Sequence, residues 1–170
     1  MGRLLPAGLA LAVGVPCIAD AEERILLSVI SGAFDVTKDG AEHPEAGFEV
    51  RFPPTTLLGV LPQRFPIRPT LGAAGTGLGS LWTYVGFCID QKIGRLVLTP
   101  GFAMSLYEEG SGLDLGGLME FRSSFEAACR IRGQLHVGVS FYHLSNGSLY
   151  QQNPGSESIV VTLTVPLTGP

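Results

Sequence analysis

The feature that most constrains this chain is a strict alternation of apolar and polar residues, sustained over stretches longer than ordinary strands. From 134 to 146, Leu135, Val137, Val139 and Phe141 share one parity, and Gln134, His136, Gly138 and Ser140 the other. In a strand those sets leave opposite faces of the backbone. The stretch 119–131 repeats the pattern, with Met119, Phe121, Phe125, Ala127 and Ile131 against Glu120, Arg122, Ser124, Glu126 and Arg130. Ile159, Val161, Leu163 and Val165 alternate with polar positions that include Thr162 and Thr164, and Phe48, Val50 and Phe52 alternate with Gly47, Glu49 and Arg51. A period of two excludes an amphipathic helix, which repeats every 3.6 residues.

Read along the whole chain, the pattern gives eight candidate strands at 25–35, 46–53, 64–72, 79–90, 93–106, 118–131, 134–146 and 157–167. Globular strands average about 5–6 residues, whereas a strand that crosses a bilayer needs roughly 9–11. Short turns such as Gln91-Lys92 and Arg132-Gly133 alternate with longer polar loops at 107–117 and 146–156. Short turns on one rim and long loops on the other mark an outer-membrane barrel. The expected fold is therefore all-β, an eight-stranded antiparallel outer-membrane β-barrel over 22–170, its interior filled by side chains. The third strand reads equally as a clean strand or as a bulged, irregular stretch, because Pro53, Pro54, Pro62, Pro66 and Pro69 crowd that region and proline cannot donate to a ladder.

Alternation alone does not say which face is buried. In a soluble lipid-binding barrel the apolar rows would turn inward; in a membrane barrel they face lipid, and Glu120, Arg122, Glu126 and Arg130 pair with one another in the lumen. Two further features favour the membrane. Charged residues make up 15% of the 170 residues, against about 25% in a typical soluble domain. Residues 1–21 read as a secretory signal, with Arg3 leading an apolar stretch from Leu4 to Val15 and Ala19-Asp20-Ala21 as the cleavage pattern. With 11 Lys+Arg against 15 Asp+Glu, the net charge of −4 leaves no basic surplus for a nucleic-acid partner. The three cysteines include no CxxC pair; Cys88 and Cys129 are expected as free thiols.

The chemistry gathers at one strand end. His143 and Ser145 continue the apolar row of their strand, and Glu157 opens the next with the parity of Ile159 and Val161. If the two strands pair across 146–156, three polar residues stand together on the lipid-facing surface, where polar groups are expensive. A serine, a histidine and a carboxylate within mutual reach form the nucleophile, base and orienting group of acyl transfer. Backbone N–H groups around Asn146-Gly147 or in the following loop are candidates for an oxyanion hole. The plainer alternative is an interfacial belt in which His143 and Ser145 meet headgroups and Glu157 merely starts a strand.

Phe141-Tyr142-His143-Leu144-Ser145-Asn146, followed by Asn153-Pro154-Gly155 and Glu157, resembles the lipid A 3-O-deacylases of the PagL type; Asp114-Leu115-Gly116 with Glu120-Phe121-Arg122-Ser123 resembles the segment before it. The resemblance runs over roughly 95–166. It implies an eight-stranded outer-membrane barrel that hydrolyses the 3-position ester of lipid A without a cofactor or metal. It places His143, Ser145 and Glu157 at the family's catalytic positions. Asn146, whose side chain leaves the opposite face from Ser145, is expected to support the loop. The implied partners are lipid A or lipopolysaccharide as substrate and the lipids of the outer membrane; a homodimer is compatible with it. Two non-catalytic readings stand beside this one: a barrel with a structural or surface-interaction role, and a soluble lipid binder.

The remaining signals are weaker. Gly75-Thr76-Gly77-Leu78-Gly79 lacks the spacing of a phosphate loop and reads as a flexible connection. His43 is expected in a polar loop and His136 on the lumen parity, neither with a ligand set. Glu108, Glu109 and Asp114 read as a solvated acidic loop.

Overall fold

Alternating stretches become strands, and the strands close on themselves. The computed structural model describes residues 24–38, 42–55 and 67–167; the expected signal at 1–21 and most of the proline-rich stretch lie outside the described residues. The strands are β1 (Leu26–Phe34), β2 (His43–Arg51), β3 (Ile67–Thr76), β4 (Leu81–Ile89), β5 (Gln91–Ile93), β6 (Leu96–Glu108), β7 (Met119–Arg132), β8 (Leu135–Ser145) and β9 (Ser156–Pro166). Every pairing is antiparallel; β1 pairs with β9 and β4 with β6, so eight long strands form a closed ring. The three-residue β5 is a hairpin arm paired with β6. No described residue is helical.

The faces sort as a membrane barrel requires. Val139, Phe141, Ile159, Val161, Phe125 and Phe102 are each 41–57% exposed, while Glu49, Arg51, Glu126, Arg122 and His136 are buried. The apolar-inside arrangement of a soluble lipid binder is thereby excluded. The lumen is packed: its central void is about 20 Å³, lined by Glu49, Arg51, Tyr84, Arg122 and Glu126 among others. That is room for a single water.

Two layers fill the interior. In the middle, Arg51 bonds Glu49 (Nε to Oε1, 2.7 Å) and Glu126, Arg122 approaches Glu49 (3.8 Å), and the Tyr84 hydroxyl donates to Glu49 Oε2 (3.1 Å). The Arg122 guanidinium stacks over the rings of Tyr84 and Tyr142, 4.6 and 4.2 Å from their centroids. Nearer the rim that carries the long loops, Phe34, Trp82 and Tyr107 pack with centroids 5.2–6.4 Å apart.

The expected pairing of charges along one strand is corrected. Same-face neighbours on a strand project in parallel, so Glu126 and Arg122 find partners across the barrel on β2. Arg130 leaves the lumen altogether and bonds the Gly94 carbonyl at the rim. His43 opens β2 opposite Phe34 rather than lying in a loop. Gly75 and Thr76 belong to β3, and the turn after them is tight: the Thr76 N–H donates to the Ser80 carbonyl (2.9 Å), with Gly79 at φ 86°.

The third strand runs later than expected, over 67–76, and accommodates Pro69 without a bulge at that point. The Phe52 N–H donates to the Pro69 carbonyl (2.9 Å). Proline has no N–H to return to the Phe52 carbonyl. Arg68 supplies the missing donor, Nη1 to Phe52 O at 2.9 Å, while its Nε pairs with Asp90 at 2.9 Å.

Candidate active site

The β8–β9 register sets His143 directly opposite Glu157, and the β7–β8 register sets Ser145 opposite Phe121 and His143 opposite Ser123. All follow the outward parity of Phe141 and Ile159. His143 Nδ1 lies 3.0 Å from Glu157 Oε1; the two side chains are 39% and 25% exposed, open to the lipid boundary but not stranded in it. With Nδ1 engaged, Nε2 is the ring nitrogen left for chemistry. Ser145 stands two residues further toward the loop rim on the same face. No hydrogen bond joins it to His143 among the described residues, a separation that an occupied site can close.

Glu157 is held at both oxygens. Oε1 faces His143, and Oε2 accepts the Thr37 hydroxyl at 2.5 Å. Thr37 arrives because β1 pairs with β9 as far as Phe34↔Ser158, and the Val36 N–H then donates to the Glu157 carbonyl (2.9 Å). The next residue, Lys38, bridges Asp35 (3.2 Å) and donates to the Gly155 carbonyl (2.7 Å). Gly155, at φ 65°, lies under the imidazole; a Cβ there would stand 2.8 Å from His143 Cε1. Thr37 is the residue sequence reasoning missed. Its only sequence signal is its place just after a strand, and that points at Glu157 only once the β1–β9 register is known.

Asn146 directly follows β8. It is fully buried, and its Nδ2 donates to the carbonyls of Leu115 and Gln152, both at 2.8 Å. Its Oδ1 accepts the Ser148 N–H (3.0 Å), and its own N–H donates to Asn153 Oδ1 (3.0 Å). One amide thus fastens loop 109–118 to loop 146–155. The Asn146 N–H is thereby committed elsewhere, which leaves the Gly147 N–H, unpartnered among the described residues, as the nearest backbone donor after Ser145.

In the acidic loop, Asp114 Oδ1 caps the Gly116 N–H (2.7 Å), and Leu115 is buried beneath it. Cys88 and Cys129 are free thiols on β4 and β7, which are not neighbours.

Comparison with known proteins agrees with the barrel fold. The structure is similar to the crystal structure of the outer membrane enzyme PagL: TM-score 0.63 and 18% identity, over 84% of this chain and 99% of that one. It is also similar to a de novo designed transmembrane β-barrel (TM-score 0.56, 10% identity, 84% and 96% covered) and to Neisserial surface protein A (TM-score 0.51, 8% identity, 83% and 94% covered). At those identities the likeness speaks for the barrel alone. No curated protein sequence matches the chain. A family model does: lipid A 3-O-deacylase (PagL) aligns with residues 61–166, from just before β3 to the end of β9 and over more than half the chain. By that match the chain belongs to the lipid A 3-O-deacylase family, outer-membrane enzymes built on an eight-stranded barrel.

Proposed function

We propose that the chain is a serine esterase that removes the 3-O-acyl chain of lipid A, with Ser145 as nucleophile, His143 as base and Glu157 as the group that orients His143. The observation that carries this reading is the contact between His143 Nδ1 and Glu157 Oε1 (3.0 Å) on the lipid-facing side of the barrel, with Ser145 on the same face. A substrate ester can reach such a site while its acyl chains stay in the bilayer.

The steps follow from the groups. Ser145 Oγ attacks the ester carbonyl as its proton passes to His143 Nε2. The Glu157 carboxylate fixes the tautomer that leaves Nε2 free and stabilises the imidazolium that forms. The Gly147 N–H faces the developing oxyanion. The tetrahedral intermediate expels the 3-hydroxyl of the sugar, which takes the proton back from His143. Water, deprotonated by the same imidazole, then releases the fatty acid from Ser145. Thr37 works one step back, as a positioning residue that fixes the second oxygen of Glu157. Export through residues 1–21 belongs to this reading, since the barrel reaches the outer membrane from outside the cytoplasm. A homodimer would add no strand to the closed ring and would pack through the outer faces alone.

Mass spectrometry of lipid A from cells carrying the wild type, Ser145→Ala or no protein tests the proposal. Loss of one 3-O-acyl chain in the wild type alone is the expected result. Deacylation by folded Ser145→Ala would overturn the mechanism; unchanged lipid A in all three strains would favour a non-enzymatic barrel.

A further inference from the structure

The cations of this chain are unevenly placed. Arg51, Arg68 and Arg122 point into the lumen, where each meets a carboxylate. Arg95, Arg130 and Arg132 lie together on the rim opposite the candidate active site, where turn 94–95 meets turn 133–134, and none forms an ion pair among the described residues. The nearby acid, Asp90, is already bound to Arg68 (2.9 Å). On the opposite rim the balance reverses: its loops carry Glu42, Glu108, Glu109 and Asp114, against Lys38 as the one Lys or Arg there among the described residues, itself paired with Asp35.

Two of the arginines, Arg95 and Arg130, are held in place. The Arg130 N–H donates to the Arg95 carbonyl (2.7 Å), Arg95 Nε donates to the Arg130 carbonyl (3.2 Å), and Arg130 Nη2 donates to the Gly94 carbonyl (3.1 Å). A guanidinium carries five N–H groups, so each keeps most of its donors unpartnered. Between them lies a cleft of about 460 Å³, walled by Arg95, Arg130, Ile131, Arg132 and Gly133. Toward the barrel wall beside it, Ile93, Ile131 and Leu96 are 63, 50 and 42% exposed. Three guanidiniums, two of them fixed, next to exposed aliphatic side chains match a phosphate attached to hydrocarbon, since the planar fork pairs with phosphate oxygens two at a time.

The rim with the short turns and both ends of the described barrel faces the periplasm in barrels of this type, and the inner leaflet of an outer membrane is glycerophospholipid. We propose that this cleft binds the phosphate of an anionic glycerophospholipid, with the headgroup between Arg95, Arg130 and Arg132 and the acyl chains lying over Ile93, Leu96 and Ile131. The site is separate from the ester chemistry: Arg130 is seven residues along β7 from Ser123, the partner of His143, about 23 Å at strand rise.

Native mass spectrometry of the detergent-solubilised full chain tests it, titrating phosphatidylglycerol, phosphatidylcholine and inorganic phosphate in parallel. The wild type should retain one phosphatidylglycerol about tenfold better than phosphatidylcholine, as expected when one strong charged contact is at stake. Arg132→Gln, which breaks none of the turn's hydrogen bonds, should cut that retention several-fold, and Arg95→Gln with Arg132→Gln should remove the preference. Heat-modifiable gel mobility and lipid A deacylation should stay at wild-type levels in both. Equal retention of the two lipids, equal retention by wild type and the double variant, or displacement of the lipid by equimolar inorganic phosphate would each overturn the proposal.

Discussion

At the scale of single residues, the site turns on how firmly one carboxylate is held. Glu157 touches His143 with one oxygen and Thr37 with the other, so its rotation is blocked from both sides. Ser145→Ala and His143→Ala should each remove nearly all hydrolysis, because both act in the same covalent step. Glu157→Gln keeps the shape and removes the charge; it should leave activity damaged but measurable, with a loss of up to about 10⁴-fold if the imidazole adopts the wrong tautomer. Full activity in Glu157→Gln, measured on purified lipid A, would reduce the site to a His–Ser dyad. Thr37→Val deletes one hydrogen bond to a charged acceptor, worth about 1.5–3 kcal/mol, and should lower kcat by roughly 10- to 100-fold with KM little changed. Thr37→Ser restores the hydroxyl and should restore most of the rate. If Thr37→Val matched wild type, the carboxylate would be held by the fold alone.

At the scale of elements, the site depends on two loops locked together and a glycine under the imidazole. Gly116, at φ 96°, lets loop 109–118 lie on the Gln152 carbonyl, which a Cβ would approach to 2.1 Å; Asn146 ties the same loops from inside the barrel. Gly155 does the equivalent work beneath His143. Gly155→Ala should therefore tilt the ring, lowering deacylation at least as much as Thr37→Val while the folded barrel persists on a heat-modifiability gel. Unchanged activity would show that the ring tolerates displacement. This is also the scale at which sequence legibility runs out. The long strands and the shared face of His143, Ser145 and Glu157 follow from period two, because parity is a property of local sequence. The contact of Thr37 with Glu157 follows from β1–β9 closure, a pairing between opposite ends of the chain that no local pattern encodes. The regularity of β3 at Pro69 is open in the sequence for a related reason: a proline penalises a strand only if its missing donor is needed, and Arg68 supplies that donor from the side.

At the scale of the whole molecule, stability is inside and specificity outside, the reverse of a soluble domain. Lipid solvates the outer face, so the rows through Val139 and Val161 contribute little drive toward closure once the chain is in the bilayer. The interior is polar, and its order rests on Arg51, buried between Glu49 and Glu126 and close to Asp90. Sequence showed that charges would face the lumen but not which would meet, since partners sit on β2 and β7, across the barrel from one another. Arg51→Met fills similar space without a charge; it leaves Glu126 buried without its cation and Glu49 with only Arg122 and the Tyr84 hydroxyl. Removing one partner of a buried pair costs about 3–5 kcal/mol, so the urea midpoint for unfolding from vesicles, read by gel mobility, should fall clearly. Adding Glu126→Gln to Arg51→Met removes the orphaned charge and should recover part of the loss, whereas Glu126→Gln alone should destabilise by leaving Arg51 short of a partner. High salt should change these differences little, because buried pairs are poorly screened. Hydrolysis per folded molecule should stay near wild type throughout, since none of these groups touches His143 or Ser145. Equal urea midpoints for Arg51→Met and wild type would mean that the strand ladder alone holds the ring closed.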